Sequence, residues 1–248
     1  MTSLIAFLLV FTIVVLVHEA GHFLAARLFS VKAYEFSIGF PFSPRVVTLF
    51  KNRETEFTLR LLPLGGFVSF SPDGEEGVPE FLSLARRKRA VISAAGSVFN
   101  LIFAILVLTA AFAAGKGMGL PEAALAGAGT AYAVFAGTLN LLYSLVTGGS
   151  FEGLSGPIGI AVMAGQAASA GPFSLLFFTA MLSLSLGVFN LLPLPALDGG
   201  HLLMIAAEAL TGRPLKLETY NRIGAVGIVL LVVLTVAVSY RDVVRMLA

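Results

Sequence analysis

The 248-residue chain is 57% hydrophobic and 12% charged, with a net charge of +2 and no cysteine. That composition excludes a water-soluble globule and predicts a polytopic membrane protein whose solvent is the lipid bilayer. It also excludes disulfides and thiolate metal sites, and it offers no basic stripe interleaved with aromatics, so nucleic acid is not an expected partner.

The charges are clustered. No Asp, Glu, Lys or Arg occurs from Met1 to His18, Ala90 to Gly115, Ala123 to Phe151, Gly153 to Leu197 or Ile223 to Tyr240. These gaps are where spanning or membrane-resting helices are expected. A first transmembrane helix is predicted over about residues 3–29, and it is read as retained, because MTSLIAFLLVFTIVVLVHEAGH has neither the basic start nor the small-residue cleavage site of a signal peptide. Residues 31–89 change period. TEFTLRLL alternates polar and apolar, and LPLGGFVSF continues with strand-favouring residues around a glycine pair, which predicts hairpin strands. SPDGEEG, residues 71–77, reads as a turn or loop.

ARRKR, residues 85–89, immediately precedes a second helix predicted at about 90–114, and residues 32–89 carry nine Lys or Arg. Positive charge stays on the cytoplasmic side, so helix one enters from outside and helix two returns outward. Residues 115–172 hold only one Lys and two Glu, as expected of the other side. A third crossing at 123–146 would break the parity with the basic loop around Arg213, Lys216 and Arg222 unless Ile158 to Ala170 also crosses. The reading is therefore a helical region at 121–170 lying on or dipping into the outer face. A third span follows at about 173–192, leading into a broken segment at 193–200, and a fourth at about 223–240. The fold expected is all-α with about four transmembrane helices and a β-hairpin between helices one and two, forming one domain over 1–248 with both termini outside the cytoplasm.

Against this apolar background one stretch stands out, His18-Glu19-Ala20-Gly21-His22. Each ionisable group inside a membrane helix costs roughly 2.5–3.5 kcal/mol on insertion scales, so three in five residues demand a reason. On a helix the two imidazoles project from one face a turn apart, at a spacing that lets both bind one Zn²⁺, and Glu19 is rotated off that axis towards a water at the metal. The bland alternative is a polar cluster that only pins helices together. A hydrolytic zinc site takes a third protein ligand, and the candidates are Asp198 and His201 in NLLPLPALDGGHLL. Irregular backbone at membrane depth is tolerated only where it is buried in protein or lines a wet cavity. Asp198 is the better donor, being anionic and followed by Gly199 and Gly200, which admit a close backbone. Asn190 in the preceding helix is either an inter-helix hydrogen-bonding group or a holder of a substrate carbonyl.

HEAGH near the start, RLLPLGGFVSF, ISAAGSVFN, LSGPIGIA and NLLPLPALDGG resemble the site-2 protease family of intramembrane zinc metalloproteases, with most likeness to its RseP-like branch. The resemblance implies that His18, His22 and Asp198 bind zinc, that Glu19 is the general base, and that Asn190 and the segment from Pro193 to Leu197 seat the substrate. It implies that residues 31–70 form a membrane-associated β-hairpin whose edge near Leu64 to Val68, including Gly65 and Gly66, pairs with an unwound substrate strand. It further implies a substrate that is a single-span membrane protein, such as an anti-sigma factor or a remnant signal peptide, in a bacterial inner membrane. Members of that branch carry PDZ domains after helix two, where this chain has only GKGMGLPEAAL. Two rival readings remain from the residues alone: a zinc-binding membrane scaffold without hydrolysis, and an ion transporter, since intramembrane His, Glu and Asp also line ion paths.

Overall fold

A computed structural model describes residues 2–39, 43–62, 65–71, 78–148 and 155–247. The element order is α1 (Thr2–Leu28), β1 (Glu35–Ile38), β2 (Arg45–Asn52), β3 (Thr55–Arg60), β4 (Gly66–Ser69), α2 (Val78–Ser83), α3 (Arg86–Lys116), α4 (Leu120–Val146), α5 (Pro157–Ser169), α6 (Pro172–Asn190), α7 (Asp198–Thr211) and α8 (Leu217–Leu247). Among the described residues, five helices are long and apolar enough to cross a membrane: α1, α3, α6, α8 and the stretch Leu120–Leu141 of α4. The fifth falls in the region read as lying on or dipping into the outer face. The expected outer-face region at 121–170 contains one helix of spanning length and composition, α4, and one short one, α5. Charge asymmetry is a weak guide there because the segment has so few charges to count.

The chain divides into two compact units, one of Met1–Val10, Leu101–Val188 and Val229–Ala248, the other of Phe11–Asn100 and Phe189–Ile228. In the first, Ala104, Leu108 and Phe112 of α3 pack with Ala123 and Ala131 of α4 and Ala180 and Leu184 of α6. Small residues let these backbones approach where lipid supplies no hydrophobic drive of its own. Its α5 starts on Pro157 with no side-chain cap from Gly156, and the Asp242 carboxylate of α8 takes that role, accepting from the Gly159 N–H at 2.8 Å. The link from α3 to α4 is three residues long, Gly117 to Gly119.

The second unit holds the sheet. Its order is β2-β3-β1-β4, with β1 parallel to β3 and antiparallel to β4, and β2 antiparallel to β3. A hairpin exists as β2–β3, turning at Arg53 with φ 57, whereas the strands expected in TEFTLRLL and LPLGGFVSF are β3 and β4, which do not pair with each other because β1 lies between them. The sheet buries polar groups: Glu35, Ser37, Thr58 and Ser69 are each 2% exposed or less. The buried Glu35 carboxylate accepts from Thr58 Oγ1 at 2.6 Å, Arg60 Nη2 at 3.1 Å and Arg45 Nη2 at 3.1 Å, which satisfies a charge that would otherwise be prohibitive to bury. Nearby, hydrogen bonds from Arg45 and Lys51 hold the Glu56 carboxyl below its usual range. Phe36 of β1 and Phe57 of β3 stack edge-on against Phe23 of α1, with centroids at 5.7 and 5.9 Å. The sheet is thus fixed to α1 one residue beyond His22.

Ser30 adopts a left-handed φ of 56 just past α1, and Lys88 Nζ donates to the Phe29 carbonyl at 3.2 Å, a cation at a helix C-terminus where the dipole favours it. Next to it, Arg89 forms a buried bidentate pair with Glu208 of α7, whose Oε1 also accepts the Leu215 N–H at 3.0 Å. The pair ties α7 to the start of α3. Replacing Glu208 by Ala strands a buried guanidinium and is expected to cost about 3–5 kcal/mol, whereas the double replacement of Arg89 and Glu208 by Met recovers most of it. Unfolding in detergent measures both, and a Glu208→Ala protein as stable as the parent would rule the clamp out.

Candidate metal centre

The residues that meet come from opposite ends of the second unit's sequence. His18 and His22 sit on α1 one turn apart, and α7 begins on Asp198, so the carboxylate projects from the first residue of a helix. The backbone before it is folded tightly: Leu194 N–H donates to Leu192 O at 2.7 Å, Ala196 has φ 67, and Gly200 and His201 N–H groups return to Leu197 O at 3.0 and 3.2 Å. A Cβ on Gly199 would overlap the Leu191 and Leu192 carbonyls, and one on Gly200 the Leu194 carbonyl. The glycines after Asp198 are therefore required by the fold-back, as the sequence suggested.

His18 Nε2 lies 3.2 Å from His22 Nε2 and 3.4 Å from Asp198 Oδ2, and His22 Nε2 lies 3.5 Å from Asp198 Oδ1. Donors at ~2.0–2.1 Å from a tetrahedral zinc are about 3.3 Å apart. The donor set and its spacing therefore fit that ion: two imidazoles and a carboxylate, with ligand atoms all within 4.8 Å of one another. His22 Nδ1–H donates to the Ile92 carbonyl at 2.7 Å, which leaves the Nε2 lone pair turned to the shared point.

Glu19 is half-buried and directed to the sheet. A Cβ added to Gly66 would stand 3.0 Å from Glu19 Cγ and 3.0 Å from the Ser37 carbonyl. Gly66 opens β4, an edge strand paired on one side with β1, Ile38 opposite Gly66. Gly65 precedes it at φ 124, its carbonyl accepting the Gly39 N–H at 2.9 Å; Leu64 lies outside the described residues, as do residues 72–77 of the expected loop. Asn190 closes α6, half-buried and with no side-chain hydrogen bond among the described residues. Pro193 lines an apolar cavity of about 250 Å³ with Leu203, Met204 and Ala207; that face of α7 is about half a turn round from Asp198. His201 is not one of the converging donors: its ring lies 5.5 Å from Tyr220 and 6.4 Å from Phe81.

Sequence reasoning missed α3. A Cβ on Gly96 would overlap His22 Nε2 and stand 2.8 Å from His18 Cε1, so the two imidazoles rest on bare backbone. Ser97 Oγ donates to Asp198 Oδ2 at 3.2 Å, and the Asn100 amide is 3.4 Å from His18 Nδ1. Gly21, between the histidines, meets Ala95 and the Gly96 α-carbon so closely that no side chain fits. The signal was present in SAAGSVFN, polar and small residues at helical spacing inside an apolar span, carrying the same membrane cost that singled out HEAGH.

Comparison with known proteins agrees with this geometry. The family model of peptidase family M50 matches residues 6–234. A Streptococcus pyogenes serotype M3 protein is 47% identical over 107 residues, covering 43% of this chain and 26% of that protein; the chain thus spans about a quarter of that relative's length. An Agrobacterium fabrum protein is 25% identical over 360 aligned positions, covering 97% of this chain and 95% of the relative. One from Clostridium acetobutylicum is 27% identical over 337 positions, covering 98% and 97%. All three bear the name "Putative zinc metalloprotease". The last two alignments are longer than the 248 residues here, so those relatives hold internal sequence with no counterpart in this chain. With a family match over most of its length and a polar triad converging in apolar helices, this multi-pass chain belongs to peptidase family M50, the site-2 protease family.

Proposed function

We propose that this chain is a zinc-dependent endopeptidase that hydrolyses peptide bonds in or beside the transmembrane helix of single-span membrane proteins, of the anti-sigma factor or remnant signal peptide kind. The observation that carries the reading is the convergence of His18, His22 and Asp198 donor atoms within 4.8 Å from two distant parts of the chain. In this reading the three residues would hold zinc, which when bound would supply a Lewis acid for the scissile carbonyl and lower the pKa of a bound water. Glu19 accepts the proton of the attacking water and delivers it to the departing amide nitrogen, a role open to a carboxylate beside the donors that is not one of them.

A peptide bond inside a helix is shielded by its own hydrogen bonds, so the target has to unwind first. The free edge of β4 supplies backbone partners for an unwound strand, and Gly66 brings that edge to within contact of Glu19. Gly65 keeps the approach open, having nothing among the described residues within 4 Å of where a Cβ would stand. Asn190 and Pro193, at the end of α6 and just after it, are read as seating the substrate from the other side of the fold-back. The enzyme is placed in the bacterial inner membrane with residues 31–89 cytoplasmic and both termini outside, and the three-residue link between α3 and α4 stands where PDZ-bearing relatives have their extra domains.

Metal analysis of the purified chain tests the reading. One zinc per chain is expected, with the Asp198→Ala protein losing it on dialysis against a chelator that leaves the parent loaded. Retention of full zinc by Asp198→Ala would overturn the assignment.

A further inference from the structure

We propose that Asn100 is a positioning residue that selects the metal-binding tautomer of His18. The inference rests on the metalloprotease reading and concerns a side chain that touches neither metal nor substrate. An imidazole binds a metal through a nitrogen lone pair, so with Nε2 as the donor the proton must sit on Nδ1, where it needs an acceptor. The two histidines meet this need differently. His22 Nδ1–H has the Ile92 main-chain carbonyl at 2.7 Å, an acceptor no substitution removes. His18 has, besides the Gly96 main chain, a side chain, the Asn100 carboxamide, 3.4 Å from its Nδ1 through Nδ2.

A carboxamide has the same shape turned end for end. With Nδ2 facing the ring, it donates to the Nδ1 lone pair and the imidazole proton is driven to Nε2, closing that nitrogen to a metal. Turned over, it presents Oδ1, accepts from Nδ1–H and opens Nε2. Asn100 is completely buried, so no water stands in for it when it is removed. It lies on α3 one turn past Gly96, on whose backbone both rings rest, and three residues past Ser97, which donates to Asp198. One helix therefore fixes all three donors, and Asn100 is the member that decides a proton's place.

The experiment is zinc affinity of the full chain in detergent, by competition with a chromogenic chelator, for the parent and for Asn100→Leu and Asn100→Asp. Leu keeps the volume and has no acceptor, so affinity is expected to fall about 10–100-fold, the usual cost of losing an outer-shell partner. Asp supplies a carboxylate acceptor to Nδ1–H and is expected to hold zinc at least as tightly as the parent. A merely structural role predicts the opposite order, because a carboxylate in a fully buried site is worse tolerated than Leu. Parent affinity in Asn100→Leu, or weaker binding by Asn100→Asp than by Asn100→Leu, overturns the inference. A parent that binds no zinc sinks the metalloprotease reading itself, and is distinguished by being seen before any variant is made.

Discussion

Exchanging Glu19 for Gln is expected to lower the rate of substrate cleavage by about 10²–10⁴-fold, the usual share of a positioned general base, with zinc content unchanged. Gln has the length and shape of Glu, so the contact of the Cγ with the Gly66 backbone survives, and with it the placement of β4. What is lost is the ability to take a proton at the attacking water and return it to the amide nitrogen. In the proposed reading the strand edge, and not Glu19, holds the substrate, so the loss should appear in kcat and leave KM nearly alone. Cleavage of a single-span substrate in liposomes, followed alongside the metal content, measures both. Undiminished cleavage by the variant would transfer the base to another group and would favour the reading in which the metal only scaffolds the helices.

HEAGH and the LDG aspartate were legible because the bilayer makes polarity expensive. Three ionisable groups in one turn and a broken apolar run each needed a reason, and the fold supplies it by bringing them together. Strands β3 and β4 were legible for a local cause, the alternation of TEFTLRLL and the strand-favouring residues of GFVSF. The rest of the sheet was not: β1 is four residues long, pairs in parallel with a strand about twenty residues away, and buries Glu35 and Ser37 where a periodicity argument expects apolar side chains. Helix α4 is legible as an apolar helix, while its parity argument rests on very few charges. In α3 the site residues are a glycine, a serine and an asparagine, each unremarkable alone in a membrane helix, whose meaning lies in what they touch on α1 and α7. Sequence periodicity marks which face of a helix is small and polar; it does not say which neighbour that face meets.

The glycine of that trio gives the sharpest separation between folding and function. Alanine at position 96 should leave α3 intact, since Ala is favoured over Gly inside a helix by about 1 kcal/mol, yet zinc affinity should fall by 10-fold or more. The added Cβ would overlap His22 Nε2, the atom that faces the other donors, and stand 2.8 Å from His18 Cε1. The rings have nowhere to retreat. Helix α1 is already at backbone contact with α3 where Gly21 meets Ala95 and the Gly96 α-carbon, so moving the rings aside means rotating His22 off the Ile92 carbonyl or prying two close-packed helices apart. The first breaks the hydrogen bond that frees Nε2; the second carries Ser97 and Asn100 away from Asp198 and His18. Either route spoils donor spacings of 3.2–3.5 Å, and a shift of half an ångström is enough to unfit them for a tetrahedral ion. Circular dichroism of the metal-free protein should match the parent's helicity, while chelator competition shows the loss. A Gly96→Ala protein that keeps both its helicity and its full zinc affinity would mean that the histidines do not rest on α3, and the three-helix account of this centre would fall with them.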